Sequence, residues 1–288
     1  MDRQSALNLL LFVKADRRSR FMPFGVFSDE RYHLVDGNDG IASGLAARLS
    51  RPVELGLKLT RVRRIPDGRI ELVFKQGSQT VTRRHQFAVL TLPFSVLRGV
   101  ELDAGLQLPA WKRTAINQLG YGTNAKQMVA FNGPFWRGLG SDGTSYSDLA
   151  NHQNTWETNH SRATASRAVL TDYASGSRGA GMNPGNVQSE AGRFVTALDQ
   201  VFPGALATAT RSEGKYVAHL AHWPSNPLSL GSYTCYLPGQ FTTIAGNEGK
   251  PIGNLFFAGE HTNSFYDWQG FMEGACLSGI DAANGLLD

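Results

Sequence analysis

With 288 residues, 41% hydrophobic and 18% charged, the chain can bury one large core or two modest ones, and its balance excludes a disordered, fibrous or disulfide-scaffold protein. The formal net charge of +4 comes from scattered bases, such as residues 61–64 (RVRR) and 82–85 (TRRH), with no aromatic residues interleaved; these read as solvated strand ends and not as a nucleic-acid surface. No apolar run reaches the roughly 18 residues of a membrane span, and Cys235 and Cys276 lack metal or disulfide spacing, so a soluble protein of the reducing cytoplasm is expected.

The opening MDRQSALNLLLFVKADRRSR reads as an amphipathic helix and not as a targeting segment, because Asp2 precedes its apolar run and no small-residue cleavage site follows. In YHLVDGNDGIASGLAARLS a strand is expected to stop at Gly37-Asn38 and a helix to begin, with Ile41, Leu45 and Leu49 on one face. PVELGLKLTRVRRI and GRIELVF, separated by the turn PDG, predict a β-hairpin or meander. QFAVLTLPF predicts a buried strand stopped by Pro93. A helix over 111–119, a glycine turn and a strand over 126–131 follow. Residues 141–184 are polar and glycine-rich, with strand-like AVLTDYA inside them. A helix is expected over 190–201, GSYTCYLPGQF alternates like a strand before its Pro-Gly turn, and the pattern closes with the strand NLFFAG and a helix. No internal repeat or low-complexity linker divides the chain.

The last stretch has its own chemical logic. Residues 255–258 form a continuous apolar run, as in a strand covered on both faces, and Gly259 follows at its carboxyl end, where open α/β sheets bind ligands. In the helix beginning near Gly270, the residues Gly270, Gly274, Ser278 and Ala282 recur every four positions, which serves either a flat, electron-rich ligand or close packing of another backbone. GLGSDG at 138–143 fits GxGxxG as a string but opens no helix, so it is not read as a dinucleotide site. His219 and His222 lack a third clustered ligand and are not read as a metal site. No Walker A sequence occurs, and no Ser-His-Asp set has the supporting turn.

FAGEHT followed by GFMEGACLSGIDAA resembles the closing motif of the flavin-dependent amine oxidase family, which includes monoamine, polyamine and L-amino acid oxidases. YGTNAKQMVAFNGPFW resembles the segment carrying the family's flavin-facing lysine. AHWPSNPLSLGSYTCYLPGQ resembles its Trp, Gly-x-Tyr and Pro-Gly segment, and LVDGNDGIASGLAARL its central strand-to-helix turn. These blocks occur in family order from about residue 32 onward.

The resemblance implies bound FAD. It places the backbone of Val62 at the adenine, and Gly259 and Glu260 near the ribityl and phosphate portion. Gly270, Phe271, Met272, Glu273, Gly274 and Ala275 match the helix start beneath the isoalloxazine, and Trp223 an aromatic beside it. Lys126 matches the lysine that holds a water near flavin N5; by itself, a lysine in an otherwise apolar strand points either to a polar cavity or to the solvated face of an edge strand. Tyr233 and Phe271 match the pair flanking the substrate amine, with Trp268 competing for the second place. Ser232 stands where some monoamine oxidases carry the flavin-bonding cysteine, which implies noncovalent FAD.

The family's opening βαβ unit, with its GxGxxG and ribose-binding acid, has no counterpart in the sequence. The expected fold is therefore mixed α/β. Residues 31–98 and 246–288 would form a partial FAD-binding domain, interleaved with a mixed-sheet substrate domain of residues 1–30 and 99–245. The implied reaction is oxidation of a primary or secondary amine or an L-amino acid by hydride transfer to flavin N5, with O2 reduced to H2O2. The absent unit would come from a longer gene product, a separate chain or a homo-oligomer, or the chain is a noncatalytic remnant.

Overall fold

The computed structural model describes residues 4–8, 32–158, 160–264 and 268–287. They divide into two compact units, Met1–Tyr121 with Tyr233–Asp288, and Gly122–Ser232. These boundaries follow backbone contacts and differ from the division by ligand expected above, which stays a functional proposal.

In the first unit, β1 (Lys58–Arg64), β2 (Ile70–Gln76) and β3 (Gln79–His85) form an antiparallel meander. The first turn uses Gly68 at φ +87°, with Asp67 accepting the Arg69 amide at 3.0 Å, as a tight Asp-Gly turn requires. A bulge between Leu59 and Arg61 shifts the register against β2. β4 (Ala88–Leu90) follows, and then β5 (Glu101–Leu102), which pairs in parallel with β1 so that Val62 lies opposite Leu102. Val62, Ile70, Phe94, Leu97, Ile116, Leu119 and Tyr236 share one buried core.

The second unit is built on β6 (Ala125–Phe131), β7 (Ser145–Tyr146), β8 (Asn154–Glu157) and β9 (Ala168–Ala174). After a short hairpin of β10 (Arg211–Ser212) and β11 (Lys215–Tyr216), β12 (Ala218–His222) completes an antiparallel sheet of order β12-β6-β9-β8-β7. Burial alternates along β6, from buried Ala125 to buried Phe131, the period-two signature of a strand with one covered face. Its covered face shares a core with Trp136 and with Ala191, Phe194, Val195 and Leu198 of the helix Val187–Leu198. Lys126 lies on the other face.

Back in the first unit, β13 (Leu255–Phe257) pairs in parallel with β4, placing Phe257 opposite Leu90. The helix Met272–Leu287 follows it.

Some expectations need correction. Residues 32–36 form no strand; the Leu34 amide is bonded locally instead, to Asn38 Oδ1 at 2.9 Å. The helix Asp39–Ala46 does form, but it buries no residue, and Ile41, Leu45 and Leu49 are 41%, 56% and 59% exposed. GSYTCYLPGQF is no strand either; Thr234 makes an isolated bridge to Tyr121, and the ladder goes no further because the Thr234 and Leu237 amides bond the side chains of Glu260 and Gln240. GLGSDG, in line with its reading above, opens no helix and runs from the short helical turn Phe135–Leu139 toward β7. Most of the expected first helix lies outside the described residues.

Candidate functional site

In the first unit the chain leaves β13 through Gly259, whose φ of +129° favours glycine, into the turn Glu260–Thr262. The Glu260 carboxylate ties together three segments. Its Oε1 accepts from the Thr234 amide and hydroxyl, each at 3.1 Å, and its Oε2 accepts from the Gly270 amide at 2.8 Å. A carboxylate oxygen can accept two bonds, so Oε2 retains acceptor capacity. Burial pushes the Glu260 carboxyl above its ordinary range, opposed by the bonds from Thr234 and Gly270. Tyr233 is the neighbour of Gly270: a Cβ on that glycine would meet the Tyr233 ring at 3.6 Å. Trp268 and Phe271 pack edge to face, with centroids 6.1 Å apart. Glu260, Gly270, Tyr233, Phe271 and Trp268 thus belong to one locality, assembled from two distant stretches of chain.

The small-residue stripe is chiefly a packing face. A Cβ on Gly274 would stand 2.1 Å from the Trp268 carbonyl oxygen. Ser278 accepts from the Gly259 amide at 2.9 Å, and Gly274, Ser278 and Ala282 are the buried residues of their helix. Met272 and Glu273 are exposed and Ala275 is partly so. The amides opening this helix lack intrahelical acceptors by geometry. Val62 is fully buried, and its carbonyl accepts the Asp103 amide at 3.0 Å.

Beside this lies a polar cluster that sequence reasoning missed. Fully buried Lys112 donates to the Asn247 and Glu248 carbonyls at 2.8 and 2.6 Å and sits 4.0 Å from the Phe257 centroid. Burial pulls its pKa down to about 7, opposed by the Glu248 charge. His261, packed on the Phe94 ring at 4.5 Å, is pushed down to about 3, by burial first and by Lys112 second. The buried Glu248 carboxylate accepts from Tyr236, Ser264 and the Asn247 amide. One sequence signal existed: Lys112 shares the buried face of its helix with Ala115 and Ile116, at spacings of three and four.

In the second unit, Lys126 pairs with Tyr173 on β9 and Ala221 on β12. Its Nζ lies 5.5 Å from the Trp156 ring centroid, 5.7 Å from Tyr173 and 5.8 Å from Trp223. The structure therefore brings Lys126 and Trp223 together, with Trp156 and Tyr173, which the sequence reading did not single out. Ser232 donates its hydroxyl to Asn124 Oδ1 at 2.6 Å. His222 bonds Ser225 and the Gly179 carbonyl. Among the described residues no group of three His, Cys, Asp or Glu could hold a metal, and no helix is long and apolar enough to cross a membrane.

A sequence model of the flavin containing amine oxidoreductase family matches residues 2–287. The chain belongs to this family. It is 29% identical to polyamine oxidase 5 of Oryza sativa subsp. japonica over 252 residues, covering 87% of this chain and 47% of that protein. It is 26% identical over 210 residues to the putative L-amino-acid oxidase YobN of Bacillus subtilis, covering 73% and 42%. The chain spans about half the length of the curated relatives it matches. Among solved structures, putrescine oxidase bound to putrescine superposes with a TM-score of 0.72 at 16% identity, over 88% of this chain and 54% of that one. Cyclohexylamine oxidase from Brevibacterium oxydans gives 0.64 at 18%, over 79% and 47%. The fold is thus the mixed α/β fold of amine oxidases.

The family implies a flavin. The residues present fit part of it: Glu260 Oε2 can accept a further hydroxyl, and Gly270, at φ +87°, leaves its side-chain position unfilled beside Tyr233.

Proposed function

We propose that this chain supplies the flavin-facing and amine-facing residues of an FAD-dependent oxidase of primary or secondary amines or L-amino acids. The family match across residues 2–287 carries the proposal. Bound FAD would take a hydride from the carbon bearing the amine at its N5 and return the electrons to O2 as H2O2.

This chain's residues would then bind, orient and exclude water. Glu260 would accept a ribityl hydroxyl at Oε2, beside Gly259, and the Val62 backbone would contact the adenine. Residues 270–275 would line the ring, with the amides of Met272, Glu273 and Gly274 offering the partial positive charge of a helix start and those of Gly270, Phe271 and Ala275 bonded to Glu260, Trp268 and Phe271. Tyr233 would flank the neutral amine on one side, with Phe271 or Trp268 on the other. Lys126 would hold a water by its ammonium, with Trp223 against the ring. Ser232 has no thiol to bond a flavin, which supports noncovalent FAD. In this reading residues 31–98 and 246–288 serve the cofactor, and residues 1–30 and 99–245 the substrate. The grip on the pyrophosphate would come from polypeptide outside this sequence, in the same protein or in a partner. The two free cysteines suit a reducing cytoplasm.

A second reading is a noncatalytic partner subunit. The exposure of Ile41 and Leu45 on a helix that buries nothing, and of Leu49 just beyond it, favours it, since such apolar surface marks an interaction site.

The test is to purify the chain with FAD, alone and with a supplied dinucleotide-binding βαβ segment, and to record flavin absorbance and peroxide over a panel of amines and amino acids. The oxidase reading expects flavin retention and turnover with the segment present. Neither signal in either sample refutes it, and self-association without flavin supports the partner reading.

A further inference from the structure

We propose that Trp156 and Tyr173 are positioning residues that, with Trp223, hold Lys126 in its charged form inside a cage of three rings. This rests on the reading of Lys126 as the flavin-facing lysine only for its catalytic meaning; the cage itself is a property of the sheet.

Antiparallel pairing builds the cage. Tyr173 is directly opposite Lys126, and Trp156 is opposite Thr171, two residues along β9 on the same face, so both side chains fall within reach of the ammonium. Trp223 follows β12 immediately after His222, which pairs with Ala125. Trp156 and Tyr173 also pack on each other, centroids 5.6 Å apart at 63°, so each fixes the other's orientation. Each ring lies 5.5 to 5.8 Å from Nζ, near the outer reach of a cation–π contact at roughly 6 Å. No single ring dominates, and three act together.

The ring quadrupole attracts an ammonium and gives nothing comparable to a neutral amine. The cage therefore raises the affinity of Lys126 for its proton. Among the described residues, His219 of β12 shares this face and is exposed, and the carboxylates of the sheet do not share it. Asp172 and Glu157 lie on the opposite face, facing Arg178 and Arg137. His222 on β12 is engaged with Ser225 and Gly179. A lysine held charged cannot accept a proton; in the proposed oxidase it acts by its charge and by donating hydrogen bonds.

The experiment uses the full chain, reductively methylated with ¹³C-formaldehyde, with the Lys126 resonance assigned by its loss in Lys126→Arg and then titrated by NMR. Trp156→Leu keeps an apolar side chain but removes the quadrupole, and should lower the Lys126 pKa by about half a unit. Trp156→Phe should lower it less, because phenylalanine's ring is the weaker partner, and Tyr173→Leu should lower it comparably. That graded order is a signature a merely structural role would not produce. An unchanged pKa, a rise, or equal shifts in Trp156→Phe and Trp156→Leu would overturn the proposal. Where a leucine variant does not fold, Trp156→Phe must still show a fall, and its absence refutes the cage. The readout needs no flavin, so failure of the oxidase reading leaves this test standing, and the reverse.

Discussion

In the first unit Lys112 and His261 are buried among backbone carbonyls and aromatic rings, whereas in the second the buried Asp172 and Glu157 each face a guanidinium, of Arg178 and Arg137. A buried group surrounded mainly by dipoles and rings meets the desolvation cost by shifting its protonation state. A buried ion pair keeps both charges and becomes vulnerable to the loss of either partner. These two sets of residues should therefore fail under different challenges, falling pH for Lys112 and His261 and truncation of one partner for Asp172 and Glu157. Each unit also holds an example of the other kind, Glu71 paired with Arg63 and Arg84 in the first and buried His152 in the second.

The largest effect should come from acid. His261 and Lys112 both have folded pKa values below their ordinary ones, about 3 against 6.5 and about 7 against 10.5. The folded state therefore binds fewer protons than the unfolded chain. The stability tied to His261 is fully present above pH 6.5 and is lost as pH falls toward 3; that tied to Lys112 is lost between pH 10.5 and 7. Each window should cost on the order of 5 kcal/mol. Urea melts across pH should lose the lower step in His261→Leu and the upper step in Lys112→Met. Unchanged pH profiles in both variants would erase the contrast between the two sets.

Next in size is Asp172→Ala, which leaves Arg178 without its carboxylate and the Gln153 amide without its 3.1 Å acceptor. The expected loss is about 3–5 kcal/mol, read by chemical denaturation. Glu260→Gln should cost less, about 1–3 kcal/mol, because one amide end must turn an N–H toward a donor. It should also weaken flavin retention in the reconstituted sample, and intact retention would argue against its place at the ribityl chain. Lys126→Met should change stability by about 0.5 kcal/mol or less. In an active sample it should slow reoxidation by O2 far more than anaerobic reduction, and equal effects would remove its assigned role.

Legibility in the sequence followed the range of the physics. The β1–β2 hairpin, β6, β9 and the helix Val187–Leu198 were readable, because a period of two or 3.6 and an Asp-Gly turn are local. Two helices show the limit. Asp39–Ala46 and Val187–Leu198 both present an apolar stripe, yet the first buries nothing and the second buries six residues; periodicity defines a face and says nothing of what covers it. GSYTCYLPGQF alternates and is still no strand: its pairing stops at one bridge, Thr234 to Tyr121, because the Thr234 amide turns to Glu260 and a ladder needs successive backbone bonds.

Of the candidate site, the residue types and their order were written in the chain, because FAGEHT, the lysine in β6 and the Trp and Tyr segments are contiguous words. From the amino acids alone came a globular α/β chain and the family to which it belongs. Tertiary structure decided the rest: which donors hold Glu260, that most of the small-residue stripe is a packing surface, that Lys112 and His261 sit in the core, and that Trp156 and Tyr173 surround Lys126. Those outcomes depend on pairing register and on burial. Both are set by segments tens to more than a hundred residues apart, and no local spacing encodes them.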